Sequence, residues 1–224
     1  MKLTNKLDHL EIKLYASIIM DKKEALKIVQ ENGSELSNLP DHFKKDKQIV
    51  LEAVKQYGLA LYHADRSLRK DKEVVLEAIK GNGGALEVAD KSLKKDKLFI
   101  LEAVKKNPYD SPALRDADKS LRKDKEVVLA AVKDEGMALH DADKSFRKDK
   151  EVVLEAVKEN GDVLEIADKS LKKDKEVVLA AVKENCDSIK YADDNLKKDP
   201  DILKGINESL MNDPDVQAML NKKK

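Results

Sequence analysis

The chain has very little of several residue types that specialised sites and covalent cross-links need. It contains no tryptophan, and aromatic residues make up only 4% of its 224 residues. Deep cofactor pockets are lined by apolar and aromatic side chains, so the composition disfavours one and we expect no cofactor. A single cysteine, Cys186, excludes an internal disulfide framework. Lys plus Arg and Asp plus Glu both number 44, so no net charge steers the chain toward nucleic acid or an anionic membrane.

Long apolar runs are also missing. No segment approaches the roughly 18 consecutive apolar residues that predict a transmembrane helix. Residues 1–20, MKLTNKLDHLEIKLYASIIM, contain neither the apolar core of about 7–15 residues nor the small-residue cleavage site of a secretory signal. We therefore predict a cytoplasmic protein that does not engage a membrane. Delivery into a host by a route that needs no N-terminal signal stays open.

What the chain has in abundance is one repeated unit, seen most clearly at residues 149–173, DKEVVLEAVKENGDVLEIADKSLKK. Apolar residues lie three, four, five, seven and eight positions after Asp149, the spacing of a helix buried on more than one side. Asp149 is a typical N-cap, because its carboxylate accepts hydrogen bonds from first-turn N–H groups. Asn160-Gly161 is a helix stop, where we expect the glycine to adopt the left-handed conformation.

The second half of the unit, DVLEIADKSL, is shorter. Its apolar residues predict an inward-facing segment of about two turns, partly 3₁₀; they are Val163, Leu164, Ile166, Ala167 and Leu171. The side chains of Asp168 and Ser170 are suited to end or re-cap this segment. One unit buries too little apolar surface to offset the entropy of ordering about 25 residues. Neighbouring units must therefore cover its faces.

The capping aspartate recurs along almost the whole chain. It is found at Asp21, Asp46, Asp71, Asp96, Asp124, Asp149, Asp174 and Asp199. Every step is 25 residues except the 28 residues from Asp96 to Asp124. The sequence therefore predicts an all-α helical-repeat solenoid of about eight 25-residue units, each with one longer and one short helix. We expect one continuous domain, with an N-terminal capping helix at 1–20, tandem repeats at 21–198, and a divergent last repeat with a C-terminal cap at 199–224.

Two units depart from the pattern. In the fourth, residues 107–112, NPYDSP, replace the glycine turn and add three residues, and their two prolines predict a stiff, projecting loop. In the eighth, we expect Gly205 to interrupt the helix. Asp213-Pro214 then predicts the start of a short helix that closes the array.

The segment ADKSLRKDKEVVLAAVKDEG at 117–136 resembles a known tandem repeat. Its core, A-D-x-S-L-x-x-D-x-E-V, recurs with few changes in most units and is similar to the family called domain of unknown function 4116, which occurs in bacteria and some microbial eukaryotes. The likeness covers about residues 21–198 and implies no activity and no catalytic residues. A looser likeness to leucine-rich variant repeats, through Asp-x-Glu-Val and Asn107-Pro108, implies layers that pair an α-helix with a 3₁₀ segment.

Residues that commonly carry chemistry are scattered rather than clustered. The four histidines lie in different units, and no pair has metal-ligand spacing. Cys186 has no cysteine or histidine partner nearby in the sequence. The glycine-rich residues 81–84 follow a helix, whereas a phosphate-binding loop follows a strand, so they predict a turn. An aspartate that recurs at one unit position is better explained as a cap in each layer; these are Asp90, Asp118, Asp143 and Asp168. We predict no catalytic, cofactor-binding or metal-binding residue, and no enzyme activity.

Basic clusters beside each capping aspartate are one candidate binding feature. Stacking at a fixed period aligns them as a stripe along one edge, which is either a solvated edge or a site for an extended anionic partner, an acidic protein segment or nucleic acid. The candidate residues are Arg69, Lys70, Arg122, Lys123, Arg147 and Lys148. Aromatic residues do not alternate with the basic ones, which argues against stacking of bases.

Tyrosines at deviating positions are the second candidate feature. Tyr109 and Asp110 lie in the insertion, and Tyr57 and Tyr62 occupy positions that are polar in other units, where they are either drift or interface anchors. Helical-repeat arrays offer extended binding surfaces. We therefore predict a non-catalytic protein–protein interaction module, a scaffold, adaptor or blocking inhibitor. The alternative is a binder of nucleic acid or an anionic surface that uses the basic stripe.

Overall fold

The computed structural model describes residues 20–106 and 113–212. Three sequence predictions lie outside these residues: the capping helix at 1–20, the projecting loop with Tyr109 and Asp110, and the closing helix after Asp213. The described residues group into two compact units, one ending at Lys94 and one beginning at Lys95. The prediction of one continuous domain stays a prediction.

The described residues form eight long α-helices, one in each predicted repeat, and no strand. They are α1 (Lys22–Glu31), α2 (Lys47–Gln56), α3 (Lys72–Gly81), α4 (Lys97–Lys106), α5 (Lys125–Asp134), α6 (Lys150–Glu159), α7 (Lys175–Glu184) and α8 (Pro200–Asn212). Helices α1–α3 belong to the first unit and α4–α8 to the second, and within each unit the repeats pack in chain order. The predicted all-α helical-repeat solenoid is confirmed.

Each capping aspartate begins its helix as predicted. In α6, for example, Asp149 Oδ1 accepts from the backbone N–H groups of Glu151, at 3.1 Å, and Val152, at 3.3 Å. These bonds satisfy first-turn donors that have no partner inside the helix. The same side-chain cap is present at the start of all eight helices.

A short helix follows each of α1–α7. These segments are Gly33–Asn38, Gly58–His63, Gly83–Val88, Ala113–Asp116, Gly136–His140, Gly161–Glu165 and Cys186–Tyr191, of which all but Ala113–Asp116 are 3₁₀. A further single turn then leads to the next capping aspartate; these turns are Asp41–Lys44, Leu68–Lys70, Lys91–Lys94, Leu121–Lys123, Lys144–Lys148, Leu171–Lys173 and Leu196–Lys198. The predicted short 3₁₀ segment is therefore present, and a tight turn separates it from the next helix.

The core of each repeat comes from both halves. In repeat 6, Val152, Val153, Ala156 and Val157 of α6 are fully buried. Four apolar residues of the second half are buried beside them: Val163, Leu164, Ala167 and Leu171. Ile166, which the pattern placed inside, is only half-buried.

The conformation predicted for the repeat glycines is wrong, because no described glycine has a positive φ. Asn160, with φ −151° and ψ 106°, ends α6 in an extended conformation, and its side chain accepts from Asp162 N at 3.0 Å to start the 3₁₀ helix. Gly161 is needed for space, since a Cβ there would lie well within van der Waals contact distance of the Ala181 carbonyl oxygen in the next repeat. The glycine therefore sets the distance between repeats.

The prediction that Gly205 interrupts the last helix is also wrong. Helix α8 runs without a break from Pro200 to Asn212. Gly205 is buried, and a Cβ at this position would lie 2.6 Å from Leu179 Cδ1 of α7. The missing side chain thus allows the last helix to approach its neighbour closely.

Candidate interaction surfaces

Ion pairs join the starts of consecutive long helices within each unit, and we call them the cap ladder: in each pair, a capping aspartate contacts the lysine that follows the preceding cap. The Nζ–Oδ distances are 2.7 Å for Lys22–Asp46, 2.7 Å for Lys47–Asp71, 2.8 Å for Lys97–Asp124, 2.8 Å for Lys125–Asp149, 2.7 Å for Lys150–Asp174 and 2.9 Å for Lys175–Asp199. Five of these lysines contact a second carboxylate, two residues beyond the cap, at 2.6–2.9 Å.

The cap ladder changes the interpretation of the basic stripe. Lys150 lies between Asp174 and Glu176, and its hydrogen bonds to these two carboxylates raise its pKa above the usual value. The lysines of the cap ladder therefore lie close to carboxylates, in a locally acidic setting. The two basic residues that precede each cap from Asp46 onward are outside the cap ladder, and they leave positive charge for another ligand.

Those two basic residues line clefts between repeats, which we call edge clefts. The first, of about 470 Å³, is lined by Arg66, Arg69, Lys70, Val88, Ala89, Asp90 and Lys91. The second, of about 350 Å³, has the same register and is lined by Lys119, Arg122, Lys123, Asp141, Ala142, Asp143 and Lys144. The structure thus brings four predicted residues into two equivalent sites: Arg69 and Lys70, and Arg122 and Lys123.

Each edge cleft contains two basic residues that the sequence analysis missed. They are Arg66 and Lys91 in the first cleft and Lys119 and Lys144 in the second. Their signal was the basic residue between Asp and Ser in the D-K-S or D-R-S motif, which occurs once in each of the second to sixth repeats. The remaining candidates, Arg147 and Lys148, have the corresponding register one repeat later, where Lys148 Nζ lies 3.8 Å from Asp168.

The aspartates at the cleft margin act as caps, as predicted. Asp90 Oδ1 accepts from the backbone N–H of Ser92, at 3.0 Å, and from its hydroxyl, at 2.8 Å. These two hydrogen bonds lower the pKa of Asp90. Its own N–H donates to the carbonyl oxygen of Arg69 in the preceding repeat, at 2.9 Å. The same Asp–Ser pattern is present at Asp118, Asp143 and Asp168.

A second kind of cavity lies on the exposed face of the long helices. This helix-face groove, of about 670 Å³, is lined by Lys105 of α4, by Lys125, Glu126, Leu129, Ala130, Lys133 and Asp134 of α5, and by Glu151 of α6. Leu129 and Ala130 supply its apolar surface, and three lysines face three carboxylates around it. Partial desolvation raises the pKa of Asp134, an effect that Lys105 partly opposes, although the side chain is solvent-exposed.

Leu98 adds to the apolar surface of the same unit, and the sequence analysis missed it. It is 76% exposed in the first turn of α4. The position two residues after the cap is lysine, glutamine, glutamate or aspartate in the other seven repeats. Ala130 is a similar departure, because the equivalent position holds glutamate in the second, third, fourth and sixth repeats. Comparing unit positions across repeats finds both residues.

The two predicted tyrosines in the described part of the chain are exposed. Tyr57 is 43% exposed at the end of α2, and Tyr62 is 41% exposed in the following 3₁₀ helix. The Tyr62 hydroxyl donates to Glu87 Oε2 of the next repeat, at 2.8 Å, which orients the ring. Both remain candidate contacts in the first unit.

Histidine, cysteine and carboxylate groups do not converge in the part of the chain that the structure describes. There, no three or more of these side chains are arranged to hold a metal ion. Cys186 is half-buried at the start of a 3₁₀ helix, where it replaces the repeat glycine. None of the described helices combines the length and apolarity required to cross a bilayer.

The caps predict a loss of stability in acid. Burial raises the pKa of Asp149, but the hydrogen bond from Lys125 and that from Val152 N–H outweigh it, so the folded-state pKa lies below 3.8. A carboxyl with a depressed folded-state pKa stabilises the fold above its unfolded-state value and loses that contribution as pH falls. We expect the urea midpoint to be level from about pH 7 to pH 5 and to drop below about pH 4. The measurement is an NMR titration of the Asp149 carboxyl ¹³C shift. A folded-state pKa at or above the pKa of the unfolded chain contradicts this explanation.

The comparisons with known proteins identify the repeat. The model of a family described as a domain of unknown function, DUF4116, matches residues 21–69, 71–122, 96–147, 124–172 and 149–197, so each match spans about two of the 25-residue repeats. No curated protein and no solved structure matches the chain. Since the matches cover nearly all of residues 21–197, the chain belongs to the DUF4116 family and carries five tandem matches to its model.

Proposed function

We propose that the chain is a non-catalytic helical-repeat module that binds a protein partner, and that the helix-face groove is its main contact. The observation that carries this proposal is the composition of the groove. Leu129 and Ala130 form an apolar centre, and a rim of three lysines and three carboxylates surrounds it. Protein interfaces combine an apolar centre with a polar rim that accepts hydrogen bonds and ion pairs.

The departures from the repeat pattern support a role outside the stack. Consensus residues at the cap and in the core hold neighbouring repeats together. Leu98 and Ala130, by contrast, replace charged or polar residues on the solvent-facing side of neighbouring helices. Contact between a leucine side chain and water is unfavourable. A partner that covers the side chain fully removes this cost, which stabilises the complex by about 2 kcal/mol.

Two substitutions that restore the repeat pattern test the groove, which Ala130 lines, together with the exposed Leu98 of the same unit. Leu98→Glu and Ala130→Glu place in α4 and α5 the residue type that other repeats carry at these positions, so the variant should fold normally. Affinity capture from the protein's own cells, followed by mass spectrometry and a binding titration with the captured protein, is the measurement. We expect at least about a tenfold loss of affinity in the double variant, from two lost apolar contacts.

Ala180→Glu is the matched control. Ala180 occupies in α7 the unit position that Ala130 occupies in α5, and it does not line the helix-face groove. The control variant should retain the partner at the wild-type affinity. If the double variant binds the captured protein as tightly as the control variant does, the proposed function is contradicted.

A further inference from the structure

We propose that the edge clefts are anion-binding sites that receive carboxylates of an extended, acidic segment of the protein partner, an inference that rests on the function proposed above. The first observation is charge. Arg66, Arg69, Lys70 and Lys91 face one carboxylate, Asp90, so four positive charges minus one leave +3 in the first cleft. Lys119, Arg122, Lys123 and Lys144 face Asp141 and Asp143 in the second, so four minus two leave +2.

The carboxylate in the first cleft is already engaged. Asp90 Oδ1 accepts from Ser92 N and Oγ, and Asp90 Oδ2 lies 3.9 Å from Lys70 Nζ, beyond hydrogen-bonding distance. Asp90 therefore neutralises only part of the local charge. Arg69 Nε donates to the Ala64 carbonyl oxygen at 3.1 Å, which fixes the guanidinium and uses one of its five N–H donors. A held guanidinium is well suited to a carboxylate, because its geometry matches the two oxygens.

The clefts recur with the repeat. The next repeat carries the same residue types in the same register, Lys144, Arg147, Lys148 and Asp168. Within the described residues, Arg147 Nε is buried and has no hydrogen-bond partner, in contrast to Arg69 Nε. An acceptor supplied by a ligand would satisfy this donor. Within the second unit, equivalent sites in consecutive repeats favour a chain-like ligand with anionic groups at regular intervals.

Spacing defines the ligand further. Packed helices lie about 8–10 Å apart, and a peptide in the polyproline II conformation advances about 3.1 Å per residue and presents every third side chain on the same side. An acidic side chain at about every third residue therefore meets successive clefts. The residues that line the two clefts include no aromatic ring on which bases stack, which favours a peptide over a nucleic acid.

A direct binding assay with the full chain tests the inference. The probe is a fluorescein-labelled peptide of repeated Glu-Gly-Ser, compared by fluorescence anisotropy with single-stranded DNA of equal charge at about 50 and 200 mM salt. The cleft variant carries Arg69→Gln, Lys70→Gln, Arg122→Gln and Lys123→Gln. We expect wild-type chain to bind the peptide and the cleft variant to bind it at least about tenfold more weakly, since Coulombic contacts at several sites are lost.

The matched control removes the same number of positive charges from the exposed helix face. It carries Lys55→Gln, Lys80→Gln, Lys158→Gln and Lys183→Gln, all at one unit position, and circular dichroism confirms that both variants fold. We expect no more than about a twofold change in the control, because exposed charges beyond a Debye length are screened. Equal losses in both variants, or no binding of the peptide by wild-type chain at low salt, overturn the inference.

Three further outcomes are informative: the first distinguishes the ligand class, and the other two separate this inference from the proposed function. Tighter, cleft-dependent binding of the DNA overturns the acidic-peptide assignment in favour of a nucleic-acid ligand. If the wild-type chain does not bind the peptide but captures a partner that depends on Leu98 and Ala130, the edge-cleft inference is overturned. The proposed role of the helix-face groove is then still supported. If peptide binding depends on the cleft residues but no captured partner depends on Leu98 and Ala130, the edge-cleft inference is supported and the proposed role of the helix-face groove is rejected.

Discussion

Replacing Gly58 with alanine should destabilise the first unit by about 3 kcal/mol, as expected for overpacking at a site that cannot relax. A Cβ on Gly58 would overlap the Ala78 carbonyl oxygen and lie 2.8 Å from the backbone nitrogen of Asn82. Both atoms belong to the backbone at the end of α3, so the clash is relieved only if two repeats move apart. Urea denaturation followed by circular dichroism measures the loss.

Gly81→Ala is the control, because it makes the same chemical change a short distance away. The nearest atom to a Cβ on Gly81 is Gly58 N, at 3.4 Å, which is an ordinary contact. Gly81 is also the last residue of α3, where alanine is the better helix former. We expect this variant to be more stable than wild type by about 0.5–1 kcal/mol. A similar loss in both variants contradicts the role that we assign to Gly58.

Truncation of Leu164 to alanine should cost about 2–5 kcal/mol. Leu164 is fully buried in the 3₁₀ helix after α6, and its repeat counterparts Leu61, Leu86 and Leu139 are also fully buried. The substitution removes apolar contacts and leaves a cavity between repeats. Because the stack couples neighbouring repeats, we expect the second unit to unfold at a lower urea concentration.

Leu98→Ala removes the same atoms from a leucine in the same unit. Since Leu98 is 76% exposed, we expect its truncation to change the free energy of unfolding by no more than about 0.5 kcal/mol. The pair thereby separates burial from side-chain chemistry. If Leu98→Ala destabilises the protein as much as Leu164→Ala, the exposed position assigned to Leu98 is wrong, and so is its use as a partner contact.

Local sequence was enough to predict the starts of the eight long helices in the described residues. A capping aspartate such as Asp149 acts within its own first turn, and the apolar spacing that follows reports which face is covered. Both effects depend on residues only a few positions away, and for this reason the repeat length, the all-α class and the 3₁₀ segment were predictable. The Asp–Ser caps were predictable on the same ground.

Contacts between repeats were not predictable in this way. Gly161 looks like a left-handed turn glycine in its own segment, yet it is required by the Ala181 carbonyl oxygen of the next repeat. Gly205 looks like a helix breaker, yet it permits α8 to pack against Leu179. In both cases the reason is steric, and it lies about one repeat away along the chain.

The candidate sites likewise have features that short segments predict and features that depend on contacts between repeats. From the sequence come the period, the caps and the existence of a basic cluster at each repeat boundary, because these are properties of short segments. Tertiary structure alone decided that six of the lysines after the caps pair with carboxylates of the next repeat. It also decided that Arg66 and Lys91 join Arg69 and Lys70 in one cleft, and that Ala130 lines a groove between helices. Charge pairing and cavity shape depend on which side chains of successive repeats meet, and stacking brings together residues about 25 positions apart.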